Sequence, residues 1–207
     1  MDPHVGARQT AAVPTFIAFL RAVNVGKRSY PMAELREALT AAGFEEVETH
    51  IQTGNVLFRT RMRSEARVAA ALEQTMLADR GFEVPVVLMT PAELTQTYDE
   101  ALAFAADLGQ ESGQESGQES GQKSGTELTG HYLTLLAEPP AADLAAKVEA
   151  RSEPGEVVRV GRRAVHLMLA KPYNEVSNSN AQIEKALGVA TTRSLTVIRK
   201  LTEKWGT

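Results

Sequence analysis

Residues 109–124 read GQES-GQES-GQES-GQKS, a four-residue unit repeated four times. The repeat holds no apolar residue, so it buries nothing that could offset the entropy of ordering it. It therefore divides the chain, and each half must build a hydrophobic core without it. As a flexible coil of about 16 residues it would reach roughly 20–25 Å root-mean-square, which separates the halves without fixing their geometry. The expected organisation is a disordered tail over 1–14, a first α+β unit over 15–108, a flexible linker over 109–127 and a second α+β unit over 128–207.

Both halves can afford a core. Hydrophobic residues make up 43% of the 207 and aromatics only 5%, so Ala, Leu and Val must do most of the packing. The net charge of −4 gives no global drive toward nucleic acid, which would need a local basic patch. The absence of cysteine removes disulfides and thiolate chemistry and fits a reducing compartment, so the expected location is the cytoplasm. No apolar run approaches the roughly 20 residues of a membrane span, and no membrane association is expected. The apolar stretch 11-AAVPTFIAFL-20 is interrupted by Pro14 and Thr15, which favours a tail followed by a strand over a leader peptide.

In the first half, 16-FIAFLRAV-23 is a strand candidate. The spacing of Met32, Leu35, Leu39 and Ala42 predicts an amphipathic helix stopped by Gly43. Two short strands, 47-VETHI-51 and 54-GNVLF-58, follow with Gln52 and Thr53 between them. Then comes a long helix capped by Ser64, and a strand, 84-VPVVLM-89. The order β-α-β-β-α-β is that of a split βαβ, ferredoxin-like unit. Thr90, Pro91 and Glu93 open a further helix with a capping box. The second half is a less regular echo: strand 131–138, helix 140–150, a hairpin over 156–169, and helices over 178–188 and 192–205. The fold class is therefore α+β, as tandem ferredoxin-like units, with no evident fourth strand in the second.

Strong chemical motifs are absent. There is no phosphate-binding G-x-x-x-x-G-K-[ST] loop, no G-x-G-x-x-G and no G-x-S-x-G. The four histidines show no metal-ligand spacing, so neither a metal nor a cofactor is expected. What remains is polar residues at strand ends, where strands aim side chains and backbone groups are free. Arg21, Asn24, Gly26 and Lys27 leave the first strand, and Gln52, Gly54 and Asn55 enter the third. In a split βαβ unit those strands are antiparallel neighbours, so 24-NVGK-27 and 52-QTGN-55 should converge. The same glycines and asparagines also read as plain turn formers. In the last predicted helix, Arg193, Lys200 and Lys204 share a face, with Thr191 or Thr192 as cap; this reads as an anion site or as a solvated stripe.

The run FLRAVNVGKRSYPMAELREALTAAGFEEVETHIQTGNVLF resembles the N-terminal signature of a bacterial family, domain of unknown function 1697. That signature reads LRG[IV]NVGG…MAELR…LGF..V.TYIQSGNV.F. The C-terminal run YNEVSNSNAQIEKALGVATTRSLTVIRKL is similar to its second signature, which ends in ATTRNWNTV.KL. The resemblance implies tandem α+β units and no particular activity. It adds weight to Arg21, Asn24, Gly26, Gln52, Gly54, Asn55, Thr192, Arg193 and Lys200. Ala22 and Lys27 stand where the family commonly has glycine, and Ser194 where it has asparagine.

Two functions compete. One is a binding protein whose cleft holds a small anionic ligand such as a nucleotide, a phosphate or a nucleic-acid backbone, lined by Arg21, Asn24, Gly26, Lys27, Gln52, Asn55, Arg193 and Lys200. The other is an enzyme on a small phosphorylated or carboxylated metabolite, with Arg21 and Arg193 as charge clamps. A structural interaction module is a third reading, and the oligomeric state is left open.

Overall fold

A computed structural model describes residues 12–114 and 128–207. Most of the expected N-terminal tail and the linker residues 115–127 lie outside the described residues.

The first unit runs β1 (Thr15–Leu20), α1 (Met32–Ala41), β2 (Glu45–His50), β3 (Asn55–Arg59), α2 (Glu65–Arg80) and β4 (Val86–Met89). Its sheet has the order β2-β3-β1-β4, antiparallel throughout, with Phe16 opposite Phe58 and Ala18 opposite both Val56 and Leu88. This is the split βαβ unit expected from the element order. The helix α3 (Pro91–Gln114) leads away from it. The capping box forms as its residue types demand: Glu93 accepts from the Thr90 backbone at 2.8 Å, and the Glu93 N–H donates to the Thr90 hydroxyl at 3.2 Å. The helix continues to Gln114, so the start of the repeat, 109–114, is helical rather than coil.

The second unit runs β5 (Gly130–Leu136), α4 (Ala142–Glu149), β6 (Glu156–Val160), β7 (Ala164–Leu169), α5 (Asn180–Leu187), β8 (Ala190–Ser194) and α6 (Leu195–Trp205). Its sheet has the order β6-β7-β5-β8, the same topology as the first. The expectation of a second unit without a fourth strand is thereby corrected. Residues 190-ATTRS-194 are strand, paired with β5 from Leu136↔Ala190 to Tyr132↔Ser194. Two adjacent β-branched threonines suit a pleated strand, and Gly188, at φ +87, breaks the chain out of α5 just before it. The last helix therefore begins at Leu195, with the Ser194 hydroxyl accepting from the Val197 N–H, and neither Thr191 nor Thr192 caps it.

Alternation along the strands distributes three cores. On β1, Phe16, Ala18 and Leu20 face α1 and α2, and Ile17 and Phe19 face the opposite side. On β5, Leu133 and Leu135 share that opposite side, and Leu136 joins the core beneath α4 and α5. The inner faces of the two sheets meet in one cluster that also takes Leu94 and Ala101 from α3 and Ile198, Leu201 and Trp205 from α6. Strand β1 is buried on both faces, which is why it reads as an unbroken apolar run. The two units are thus joined through a common core and not only through the repeat. Among the described residues no helix is long and apolar enough to cross a membrane.

Candidate functional site

The exit of β1 and the entry of β3 do converge, as antiparallel pairing requires. The Asn24 amide donates to the Gln52 carbonyl at 2.8 Å and to the Tyr30 carbonyl at 3.0 Å, while its Oδ1 accepts from the Tyr30 N–H at 2.7 Å. One side chain therefore closes the loop after β1 and ties it to the β2–β3 turn. The Leu20 N–H donates to the Gly54 carbonyl at 2.8 Å. Glycine is required at position 54: φ is +72, and a Cβ there would lie 2.6 Å from Val23 Cγ1 and 2.7 Å from Leu20 Cβ.

These two loops hold unusual backbone. Ala22, Asn24 and Ile51 have φ of 53, 55 and 50, in the left-handed region that costs an L-residue about 1–2 kcal/mol. A β-branched residue such as Ile51 is a clear outlier there. Such strain concentrates where structure serves a site.

Beside these loops lies a cleft of about 630 Å³ between the two units. The first unit contributes Arg21, Ala22, Val23, Val25 and Thr53. The second contributes Tyr132 of β5, Tyr173 of a short 3-10 turn, and Asn180 and Ala181 at the start of α5. Strand β8 runs through it with Thr191, Thr192 and Arg193.

Arg193 forms the back wall. It points toward the first unit, and all of its nitrogens are engaged. Its Nε donates to Asn55 Oδ1 at 2.7 Å, one terminal nitrogen to the Thr191 hydroxyl and the Thr192 carbonyl at 2.9 Å each, and the other to the carbonyls of Leu20 at 3.0 Å and Thr53 at 2.9 Å. Every acceptor is neutral. Burial pulls its pKa down to about 10, so it is still a cation at neutral pH. A second buried arginine, Arg163, also bridges the units through the Leu88 and Leu136 carbonyls, but it has the Glu93 carboxylate at 2.9 Å. Among the described residues Arg193 has no such counter-charge.

Arg21 is the other cation at the cleft. One terminal nitrogen meets the Glu184 carboxylate of α5, while its Nε is buried without a hydrogen-bond partner. The N-terminal turn of α5 opens on the same space. Ser179 precedes it, and no side chain caps that turn. The segment leading in is fixed by buried Glu156, which accepts from the backbone N–H groups of Ser177 and Asn178 at 2.9 and 2.8 Å and pairs with Lys171. Uncapped N–H groups and the helix dipole favour an anion at this end.

The expected site residues thus fall into three groups. Arg21 and Arg193 line the cleft. Asn55, fully buried, stands behind it holding Arg193, and Asn24 and Gln52 brace the rim. Gly26, Lys27 and Lys200 are exposed and do not line it. The expected basic stripe on the last helix is corrected. Arg193 is on β8 facing inward, Lys204 pairs with Glu48 at 2.8 Å, and Lys200 is exposed on α6. Sequence reasoning missed Tyr132, Asn180 and Arg163. Their only signal was position, on strand and helix ends whose neighbours depend on how the halves join.

A model of the family described as a protein of unknown function, DUF1697, matches residues 13–166. The chain belongs to this family. The matched stretch contains Arg21, Asn24, Gly54 and Asn55, while β8 and α6 lie beyond it. No curated protein matches the chain. Among solved structures, the conserved bacterial protein SP0830 from Streptococcus pneumoniae is similar with a TM-score of 0.63 and 20% identity, covering 94% of this chain and 99% of that one. At that identity the likeness shows the fold, which the two proteins share along nearly their whole length.

Proposed function

We propose that this DUF1697 member is a binding protein whose inter-unit cleft takes a small anionic ligand. The observation that carries the reading is Arg193, a buried guanidinium satisfied by neutral acceptors and lacking a carboxylate. A buried charge without a counter-charge is expensive, and an anion in the cleft would offset that cost. Arg21 adds a second cation, and the uncapped turn of α5 adds backbone donors beside it. Among the described lining residues there is no carboxylate and no histidine, which favours binding over catalysis.

Calorimetric titration with inorganic pyrophosphate tests this. The wild-type protein binds, Arg21→Gln weakens binding about tenfold or more by removing a charge-assisted bond, and Glu184→Gln strengthens it by releasing Arg21. Equal binding by wild type and Arg21→Gln contradicts the reading.

A further inference from the structure

The cleft has two chemically unlike walls. Cationic and amide groups come from Arg21, Arg193 and the first turn of α5. The remaining wall is apolar and aromatic. Tyr132 and Tyr173, both half-buried, pack with ring centroids 4.4 Å apart and planes tilted by 35°. Val23 and Val197 extend this surface, and Val25 leaves 63% of itself exposed at the rim. An inorganic anion engages only the first wall and leaves the tyrosines in water.

A ligand that uses both walls joins a flat ring to an anionic group. The cleft's volume of about 630 Å³ suits a molecule of that kind. Two alternatives fit less well. A peptide strand adding to the edge strand β8 finds the carbonyls of Ala190 and Thr192 already bonded, by the Asn180 amide at 3.2 Å and by Arg193 at 2.9 Å. A nucleic-acid polymer needs a run of free surface cations, yet Arg21 and Lys204 are paired with Glu184 and Glu48 and the chain carries a net charge of −4.

We infer that the ligand is a nucleoside phosphate, with its base against Tyr132 and Tyr173 and its phosphate at Arg21 and the start of α5. This rests on the anion-binding reading above. It assigns Tyr173 a role that reading does not need.

The test is calorimetry with each of the four ribonucleoside monophosphates, inorganic phosphate and the unphosphorylated nucleosides as probes. The proteins are wild type, Tyr173→Ala, Tyr173→Leu and Tyr173→Phe, each checked for cooperative melting. At least one monophosphate should bind about tenfold or more tightly than both inorganic phosphate and its own nucleoside. Tyr173→Ala and Tyr173→Leu should weaken it about fivefold or more, as expected for a lost stacking partner, with phosphate binding unchanged and Tyr173→Phe near wild type. Tyr173→Leu keeps apolar bulk, so it reports on the ring even if the alanine variant fails to fold. Equal affinity for phosphate and every nucleotide overturns the inference and leaves the anion reading standing. Unaltered nucleotide binding by Tyr173→Leu likewise overturns the placement of the base. Failure of both phosphate and nucleotides to bind sinks both readings together.

Discussion

Arg193 Nε of β8 donates to Asn55 Oδ1 of β3 at 2.7 Å, and this bond joins the second sheet to the first. Asn55 is itself held by its amide, which donates to the His50 carbonyl at 3.1 Å and the Thr53 hydroxyl at 3.0 Å. The arginine is therefore both wall and fastener. Arg193→Ala strands the Asn55 oxygen and leaves the Leu20 carbonyl only the Thr191 hydroxyl at 3.5 Å, while the Thr53 carbonyl belongs to an exposed residue that water can reach. It is expected to cost about 2 kcal/mol or more of stability, at about 1–3 kcal/mol for each buried group left unpaired. A double-mutant cycle with Asn55→Ala, followed by urea denaturation, should show coupling of about 1 kcal/mol or more. Additive losses would mean that the bond contributes nothing to joining the units.

The rim backbone makes opposite demands at two neighbouring positions. Gly54→Ala places a methyl within 2.7 Å of Val23 and Leu20 at a left-handed φ, and should destabilise by about 2–4 kcal/mol. Ala22 already occupies a left-handed conformation, so Ala22→Gly should stabilise by about 0.5–1 kcal/mol, once relief of strain is set against the greater freedom of glycine in the unfolded chain. Denaturant midpoints of the two variants should move in opposite directions. Lys27, the other position where the resemblance implies glycine, is not among the left-handed residues and gains nothing from that exchange.

Acid sensitivity should come from a pair of histidines that do not line the cleft. His131 Nε2 and His166 Nδ1 lie 3.3 Å apart on adjacent strands, and Phe104 of α3 packs edge-on against His166. Burial holds their pKa values down, to about 4 for His131 and about 3 for His166, where the neighbouring imidazole adds to the effect. Both are neutral when folded and take up protons near pH 6.5 when unfolded. Their contribution to stability is therefore complete above pH 6.5 and is lost as pH falls below it. On the order of 3 kcal/mol should disappear between pH 6.5 and pH 5. His166→Phe should flatten the stability profile in that window, where most carboxylates have yet to titrate. A variant profile as steep as that of the wild type would place the acid sensitivity elsewhere.

Much of the architecture is legible in the sequence because the periodicities are clean. The unbroken apolar run of β1 and the capping residues Ser64 and Thr90 each mark their element without reference to the rest of the chain. The convergence of Asn24 with Gln52 follows from topology alone, since antiparallel β1 and β3 leave no other place for those turns. Strand β8 was hidden for a local reason. Its five residues abut α6 without an intervening turn, so the helical spacing of Ile198, Leu201 and Trp205 extends backward over Arg193 without a visible break. That shift of state moved Arg193 from a solvated helix face to a buried strand face. Tyr132, Tyr173 and Asn180 could not be grouped with Arg21, because the cleft exists only where the halves join. The join depends on which sheet faces are apolar on both sides, a property spread over β1, β5, α3 and α6 that no motif carries.

The central claim is that the cleft between the units binds an anion, and amide chemical-shift mapping during titration with inorganic pyrophosphate tests it most directly, with chloride at matched ionic strength as control. Saturable shifts confined to Arg21, Ala22, Asn180, Ala181 and Ser194, and needing about tenfold or more pyrophosphate in Arg21→Gln, are the expected result. Shifts that do not saturate, or that spread over the exposed lysines Lys27 and Lys200 and spare the cleft, would contradict it.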